Sequence, residues 1–189
     1  MKKSIAWILT TIMMLALLTG CGSKSAKSDT EYVKKNGKLI VGITDYEPMD
    51  YKDENGEWTG FDAEFARMFA KELGVDCEFF VIADWGQKFF ELDSKNIDAI
   101  WNGMTITDEV TLNTNCTKPY VINAQVVVMK ADAVGNYADT DSLKDLTFAV
   151  ESGSAGEDAV KGLGISDYVA VQDQTKAVRF PPVPLTPAS

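Results

Sequence analysis

The pattern of apolar and polar residues alternates between strand-like runs and helix-like spacing in the first half of the chain. Residues 38–44 are a short apolar run rich in β-branched side chains, which predicts a buried strand after the Asn36-Gly37 turn. Residues 61–73 carry apolar side chains at helical spacing, and Gly74 supplies a stop. Further strands are predicted at 75–82 and 97–101, with a helix between them that Asp84 caps. This order predicts a parallel sheet covered by helices, which is an α/β fold.

The second half of the chain repeats this alternation and then loses it. Residues 124–130 are almost purely apolar and predict another strand. After a polar stretch, a helical turn at 142–146, strands at 147–150 and 168–171, and a helix at 157–163 are expected, and the sequence from 172 to 178 is typical of the start of another helix. The last eleven residues, 179–189, hold four of the six Pro and cannot form a helix or a central strand.

The N-terminus has the pattern of a targeting segment. Two lysines precede an apolar run over residues 5–18, which is too short for a stable membrane-spanning helix and fits the core of a signal peptide. The following Leu18-Thr19-Gly20-Cys21 resembles a bacterial lipobox. We therefore expect a signal peptide at 1–20 and a lipidated Cys21 that begins a flexible tether at 21–31. The alternative is an ordinary signal peptide or membrane anchor with a chance Cys.

The composition excludes several classes of function and of site. The net charge is -10 and no basic cluster occurs, which argues against nucleic-acid binding. The absence of His removes His-based catalysis and His-based metal sites. Cys77 and Cys116 either pair or remain free thiols, and sequence does not decide between them. The acidic cluster of Asp50, Asp53, Glu54 and Glu57 is interpreted as solvated surface, since it lacks the spacing of a calcium site.

Several motifs together resemble one family. They are Leu39–Met49, Gly60–Ala66, Ile97–Ile100, Gly103–Glu109 and Lys118-Pro119-Tyr120. Over about residues 38–178 the chain resembles the extracytoplasmic solute-binding proteins, family three, of polar amino-acid ABC importers. The resemblance implies a two-lobed fold of the periplasmic-binding-protein type that closes about its ligand.

The resemblance also divides the chain into lobes. Lobe one would be nearly complete at 32–123, residues 124–130 would be an inter-lobe crossing strand, and residues 131–178 would be a partial lobe two. Family members normally continue well past residue 178, so we expect a truncated or frameshifted reading frame here. The alternative is a natural short variant.

The resemblance implies a set of ligand-binding residues at strand ends that face the cleft. Tyr46 would be an aromatic wall or would pack its own loop, and Trp85 would touch ligand or pack its helix. Gly103 would allow close backbone approach or form a structural bend, and the loop opening the lobe-two helix would bind a carboxylate or form an ordinary N-cap. The whole set is Asp45, Tyr46, Trp85, Asn102, Gly103, Met104, Thr105, Ser154, Ala155 and Gly156.

Two departures from the family pattern concern ligand binding. Val110 stands where many relatives carry an Arg that clamps the ligand carboxylate, and the lobe-two Asp that binds the ligand ammonium would fall after residue 178.

The function expected from this resemblance is a lipid-anchored binding protein on the outer face of the membrane. It would deliver a polar amino acid to ABC permease subunits, with no cofactor, metal or catalytic residue. The alternatives are a non-functional fragment, a dehydratase-like enzyme or a sensory module on the same fold.

Overall fold

A computed structural model describes residues 28–180 of the chain. The predicted signal peptide at 1–20, the lipidated Cys21 and the Pro-rich residues 181–189 lie outside the described residues. No helix within 28–180 combines the length and the apolar character needed to cross a membrane.

The helices are α1 (Asp29–Asn36), α2 (Phe61–Leu73), α3 (Lys88–Asp93), α4 (Asp108–Asn113), α5 (Ala155–Gly162) and α6 (Gln174–Val178). The strands are β1 (Lys38–Ile43), β2 (Tyr51–Lys52), β3 (Trp58–Thr59), β4 (Asp76–Val81), β5 (Ala99–Ile100), β6 (Phe148–Glu151) and β7 (Tyr168–Val171).

Lobe one is built on a three-stranded parallel sheet with the order β4-β1-β5. The central strand β1 buries Leu39, Val41 and Ile43, so its apolar run has the role that the sequence predicts. β5 is shorter than predicted, because only two of its residues pair with β1. A hairpin of β2 and β3 follows β1, and the turn between its strands lies at residues 53–56.

Helix α2 has the predicted bounds but buries an unexpected face. Gly74 ends it at φ 75°, and its N–H group donates to the carbonyls of Ala70 and Lys71. The face against the sheet is small and includes Ala63, Ala66 and Ala70, which lets the helix approach closely. The larger apolar side chains of the helical pattern are 38–68% exposed; they are Phe61, Phe65, Met68 and Phe69.

An aromatic cluster lies on this outer side of α2. The ring centroid of Phe65 lies 5.0 Å from that of Trp101 and 5.5 Å from that of Tyr120, both in edge-to-face arrangements. The cluster therefore joins α2 to the chain that follows β5 and to the residues before the second lobe.

Lobe two contains the parallel pair β6 and β7, flanked by α5 and α6. Its strands and helices were predicted at these places within a few residues. Helix α5 begins at Ala155, two residues before the predicted start, because Ser154 caps it. Few apolar side chains are buried in this lobe, namely Leu143, Val160 and Ile165.

Three expectations from sequence are wrong in the described residues. No strand forms at 124–130, where Val126, Val127 and Val128 are 45–76% exposed, because none of the described strands pairs with this segment. Residues 29–31, expected in the tether, belong to α1. Asp50, expected at the surface, is fully buried, because its backbone bridges that of Tyr46 and its side chain lies close to Asp62.

The two cysteines within the described residues are free thiols. Cys116 is exposed, whereas Cys77 is half-buried beside the core of lobe one. Burial raises the pKa of the Cys77 thiol to about 11.

Candidate ligand-binding cleft

The predicted lobe-one residues meet at the carboxyl ends of two neighbouring strands. Asp45 and Tyr46 follow β1, and the segment from Trp101 to Thr105 follows β5. Because β1 and β5 are parallel neighbours, these two segments emerge side by side at one edge of the sheet. The sheet topology therefore brings together the residues that the resemblance places in a ligand site.

Asn102 joins the two strand ends. Its side-chain oxygen accepts a hydrogen bond from the Thr44 N–H at 2.8 Å, and its Nδ2 donates to Thr44 Oγ1 at 2.7 Å. The side chain is 5% exposed, so both of its polar atoms serve the scaffold. Asn102 therefore fixes the positions of its neighbours on both strands.

Gly103 and Tyr46 lie against each other. Gly103 has a φ of 59°, and a Cβ atom at this position would lie 3.0 Å from Tyr46 Cε1. The backbone of Tyr46 is held by two hydrogen bonds: its N–H donates to the Asp50 carbonyl at 2.7 Å, and its carbonyl accepts from the Asp50 N–H at 2.9 Å. This arrangement presents the Tyr46 ring as a wall beside a side-chain-free stretch of backbone.

Two predicted residues pack inward. Trp85 is 5% exposed and packs against Ile82 and Ile97, and Met104 is partly buried against the same cluster. This burial favours the packing interpretation of Trp85. Val110, which occupies the place of the carboxylate-clamping Arg, is buried within α4.

Thr105 marks the point where the two lobes approach each other. Its Oγ1 accepts hydrogen bonds from Asn123 Nδ2 at 3.1 Å and from Gln125 Nε2 at 3.4 Å. The Gln125 side-chain oxygen lies 3.3 Å from the place where a Cβ on Gly156 would be. Gln125 thus reaches from Thr105 to the first turn of α5. Sequence reasoning missed both amides, although their polar side chains beside an apolar run were a visible signal.

The start of α5 has an N-cap with reciprocal support. Ser154 Oγ accepts from the Glu157 N–H at 3.2 Å, and Glu157 Oε2 accepts from the Gly153 N–H at 2.7 Å. The cap uses the Ser154 side chain, whereas the N–H groups of Ala155 and Gly156 belong to the first turn, where backbone donors have no intrahelical partner. These donors and the positive end of the helix suit a carboxylate.

Other contacts connect the two lobes around the cleft. Thr175 Oγ1 donates to the Asp45 carbonyl at 3.4 Å, and Asp45 lines a pocket together with the cationic side chains of Lys176 and Arg179. Lys88 Nζ donates to the Gly153 carbonyl at 3.0 Å. Sequence reasoning missed Lys88, since nothing in the pattern marks it as buried.

Both lobes contain buried carboxyl groups. Burial and the neighbouring Asp62 raise the pKa of Asp50 to about 8. Asp62 accepts a hydrogen bond from the Tyr120 hydroxyl at 2.8 Å, and burial raises the pKa of Asp62 as well. In lobe two, burial raises the pKa of Glu151 to about 7, and its Oε1 has no hydrogen-bond partner within the described residues. No group of three or more acidic or thiol side chains in residues 28–180 is placed to hold a metal ion.

Comparisons with known proteins agree with this architecture. The L-cystine-binding protein TcyJ of Escherichia coli is 32% identical over 167 residues, which are 85% of this chain and 62% of that protein. The arginine-binding extracellular protein ArtP of Bacillus subtilis is 34% identical over 180 residues, which are 93% of this chain and 66% of that protein. The chain thus spans less than two thirds of the length of these relatives.

A solved structure shares the fold. The ancestral amino acid-binding protein AncCDT-1, described as a precursor of cyclohexadienyl dehydratase, superposes with a TM-score of 0.76 at 31% identity, covering 80% of this chain and 68% of that one. This similarity confirms the two-lobed α/β fold. The family model that matches residues 39–176 describes extracellular proteins. The chain therefore belongs to the bacterial extracellular solute-binding proteins, family 3.

Proposed function

We propose that this protein is the membrane-anchored substrate-binding component of an amino-acid ABC importer and that it holds a polar amino acid between its lobes. The proposal rests on the contacts among Thr105, Gln125 and Gly156, where polar groups of the two lobes lie close together. A two-lobed protein in which polar groups of both lobes face one cleft can enclose a small zwitterion.

Each part of a zwitterion has a candidate partner in the cleft. The N–H groups of Ala155 and Gly156 are suited to the carboxylate, because they lie at the positive end of α5. The exposed Asp45 side chain supplies a negative charge for the ammonium group. The ring of Tyr46 beside Gly103 forms the wall for the ligand side chain.

The anchor and the partner follow from the same proposal. Acylation of Cys21 would hold the protein at the outer face of the membrane, and closure about the ligand would create the surface that permease subunits recognise. The ligand leaves the cleft unchanged, so the protein performs no chemical step. Metabolic labelling with palmitate, compared between the wild type and Cys21→Ala, tests the anchor.

Calorimetric titration with arginine, cystine and the other common amino acids tests binding. We expect one amino acid to bind with one site, and Thr105→Ala to weaken its affinity by about tenfold or more, since Thr105 holds the bridging amides. Thr111→Ala is the matched control, because the hydroxyl of this exposed Thr donates to the carbonyl of Asp108 within α4. A wild type that binds no amino acid would contradict the proposal.

A further inference from the structure

Lys88 is a buried cation that links the lobes. It is the first residue of α3 in lobe one and is only 4% exposed. Its Nζ donates to the Gly153 carbonyl of lobe two at 3.0 Å and lies 3.4 Å from the Trp85 carbonyl of its own lobe. The ammonium also lies 4.6 Å from the ring centroid of Phe89 and 5.3 Å from that of Trp85. Lys88 therefore has one backbone acceptor in each lobe.

The environment of Lys88 is unusual for a lysine. None of the ion pairs within the described part of the chain involves it. A buried ammonium without a directly bound carboxylate costs free energy of solvation, and burial lowers the pKa of Lys88. Four carboxylates further away, those of Glu109, Asp158, Glu151 and Asp84, partly offset this effect. A methionine would fill the same space without the desolvation cost, so stability alone does not explain a lysine here.

The acceptor of this hydrogen bond lies in a close contact between the lobes. Gly153 has a φ of 67°, and a Cβ on it would lie 2.6 Å from the Cα of Gly86. The next residue, Ser154, caps α5, and the donors of Ala155 and Gly156 follow. The position of Gly153 against lobe one therefore decides where the first turn of α5 lies relative to Thr105.

We propose that Lys88 is a positioning residue that latches the two lobes together, holding the Gly153 carbonyl so that the first turn of α5 faces Thr105. The latch deepens the proposed function, because it sets the geometry of the cleft without contacting the ligand. The contact between the lobes can nevertheless be measured without any ligand.

A distance measurement between the lobes tests the latch in the full chain. Spin labels are placed on the exposed Cys116 of lobe one and on Ala159→Cys, an exposed position of α5, in a background with Cys21→Ser and Cys77→Ala. We expect Lys88→Met to shift the distance distribution to longer values and to broaden it, because the donor is lost while the packing of the stem is kept. We expect Lys88→Arg to retain the wild-type distances.

The control variant is Lys71→Met, which removes a lysine charge from the exposed side of α2. We expect this variant to leave the distances unchanged. Distances in Lys88→Met equal to those of the wild type would overturn the proposal. A lower melting temperature in Lys88→Met with unchanged distances would likewise overturn it, because that result identifies a purely structural lysine.

Ligand affinity gives a second readout. If the wild type binds an amino acid, we expect Lys88→Met to weaken the affinity by about tenfold, because the binding-competent arrangement becomes less populated. If the wild type binds none, the proposed function fails, whereas the distance measurement still decides whether Lys88 latches the lobes. An unchanged affinity together with longer distances would overturn the link between the latch and the cleft.

Discussion

The two lobes differ in how they are held together. Lobe one buries most of β1 between α2 and the chain around Ile82 and Ile97, and β4, β1 and β5 form one parallel sheet. Lobe two has a single pair of strands, whose only buried side chain is that of Glu151, and few buried apolar residues.

This difference teaches that the lobes contribute unequally to stability. Burial of apolar surface is the main favourable contribution to folding. Lobe one buries more apolar side chains than lobe two and therefore has a core of its own. Lobe two depends more on its contacts with lobe one, which include those of Gly153 and Thr175. We infer that lobe two opens at lower free energy than lobe one.

The largest expected effect is in lobe one. A Cβ at Gly60 would lie 2.3 Å from the Met49 carbonyl oxygen, and the φ of 114° disfavours any other residue. We expect Gly60→Ala to lower the free energy of unfolding in urea by about 3 kcal/mol or more. Hydrogen exchange of the β6 amides should accelerate in the same variant, because lobe two relies on lobe one.

Gly56→Ala is the matched control for this substitution. Gly56 also has a positive φ, 83°, but a Cβ there meets no atom within 4 Å. Its expected loss is about 1 kcal/mol, from the backbone conformation alone. Equal losses in the two variants would show that close packing at Gly60 does not matter.

A second effect depends on pH. The folded protein raises the pKa of Asp50 from 3.8 to about 8, so folding takes up a proton in this range and stability falls as pH rises from about 4 to about 8. Asp50→Asn removes this dependence, so its stability relative to the wild type should rise with pH, by at most about 1.4 kcal/mol per pH unit. Urea denaturation at pH 5 and pH 8 measures the difference.

Lobe two offers the comparison for this pH effect. The pKa of Glu151 is raised from 4.5 to about 7, so Glu151→Gln should flatten the pH dependence over a narrower range than Asp50→Asn. Between pH 5 and pH 8, the same pH dependence of stability in the wild type and in both variants would contradict the assignment of both groups.

The smallest expected effect is in lobe two. Gly162 is the last residue of α5 and a Cβ there meets nothing within 4 Å, so Gly162→Ala should stabilise the helix by up to about 1 kcal/mol. Gly164→Ala is the control, since this site is equally open but has a φ of 74°. We expect slower hydrogen exchange in α5 for the first variant and faster exchange for the second. The same sign of change in both would contradict the explanation.

Local patterns were sufficient to predict the main strands and helices of the two lobes, but not α1, α4 or the β2-β3 hairpin. The apolar run of β1, the helical spacing of α2 and the glycine at its end are decided by residues close together in sequence. The parallel order followed from the alternation of strands and helices. These signals are short-range, and the structure confirms them.

Features that depend on tertiary contacts could not be predicted in this way. The large apolar side chains of α2 predict a buried face, yet the alanines are buried because only they fit against the sheet. The burial of Asp50 depends on the bridge to Tyr46 and on Asp62, twelve residues away. The predicted cleft residues at the strand ends do lie together, but sequence could not separate Asn102, which holds the scaffold, from Thr105, which faces the other lobe.

The hydrogen bonds between Asn102 and Thr44 have a consequence for how this cleft can diversify. Anchoring and contact with the other side of the cleft fall on different residues within one short segment, because Asn102 is bonded to the neighbouring strand and Thr105, three positions later, accepts from Asn123 and Gln125. Under the proposed function, substitutions at Thr105 or Tyr46 would therefore change ligand preference while the strand ends stay in register. A change at Asn102 would displace both strand ends and so alter the cleft as a whole. We therefore expect new ligand preferences to arise from substitutions around an unchanged Asn102.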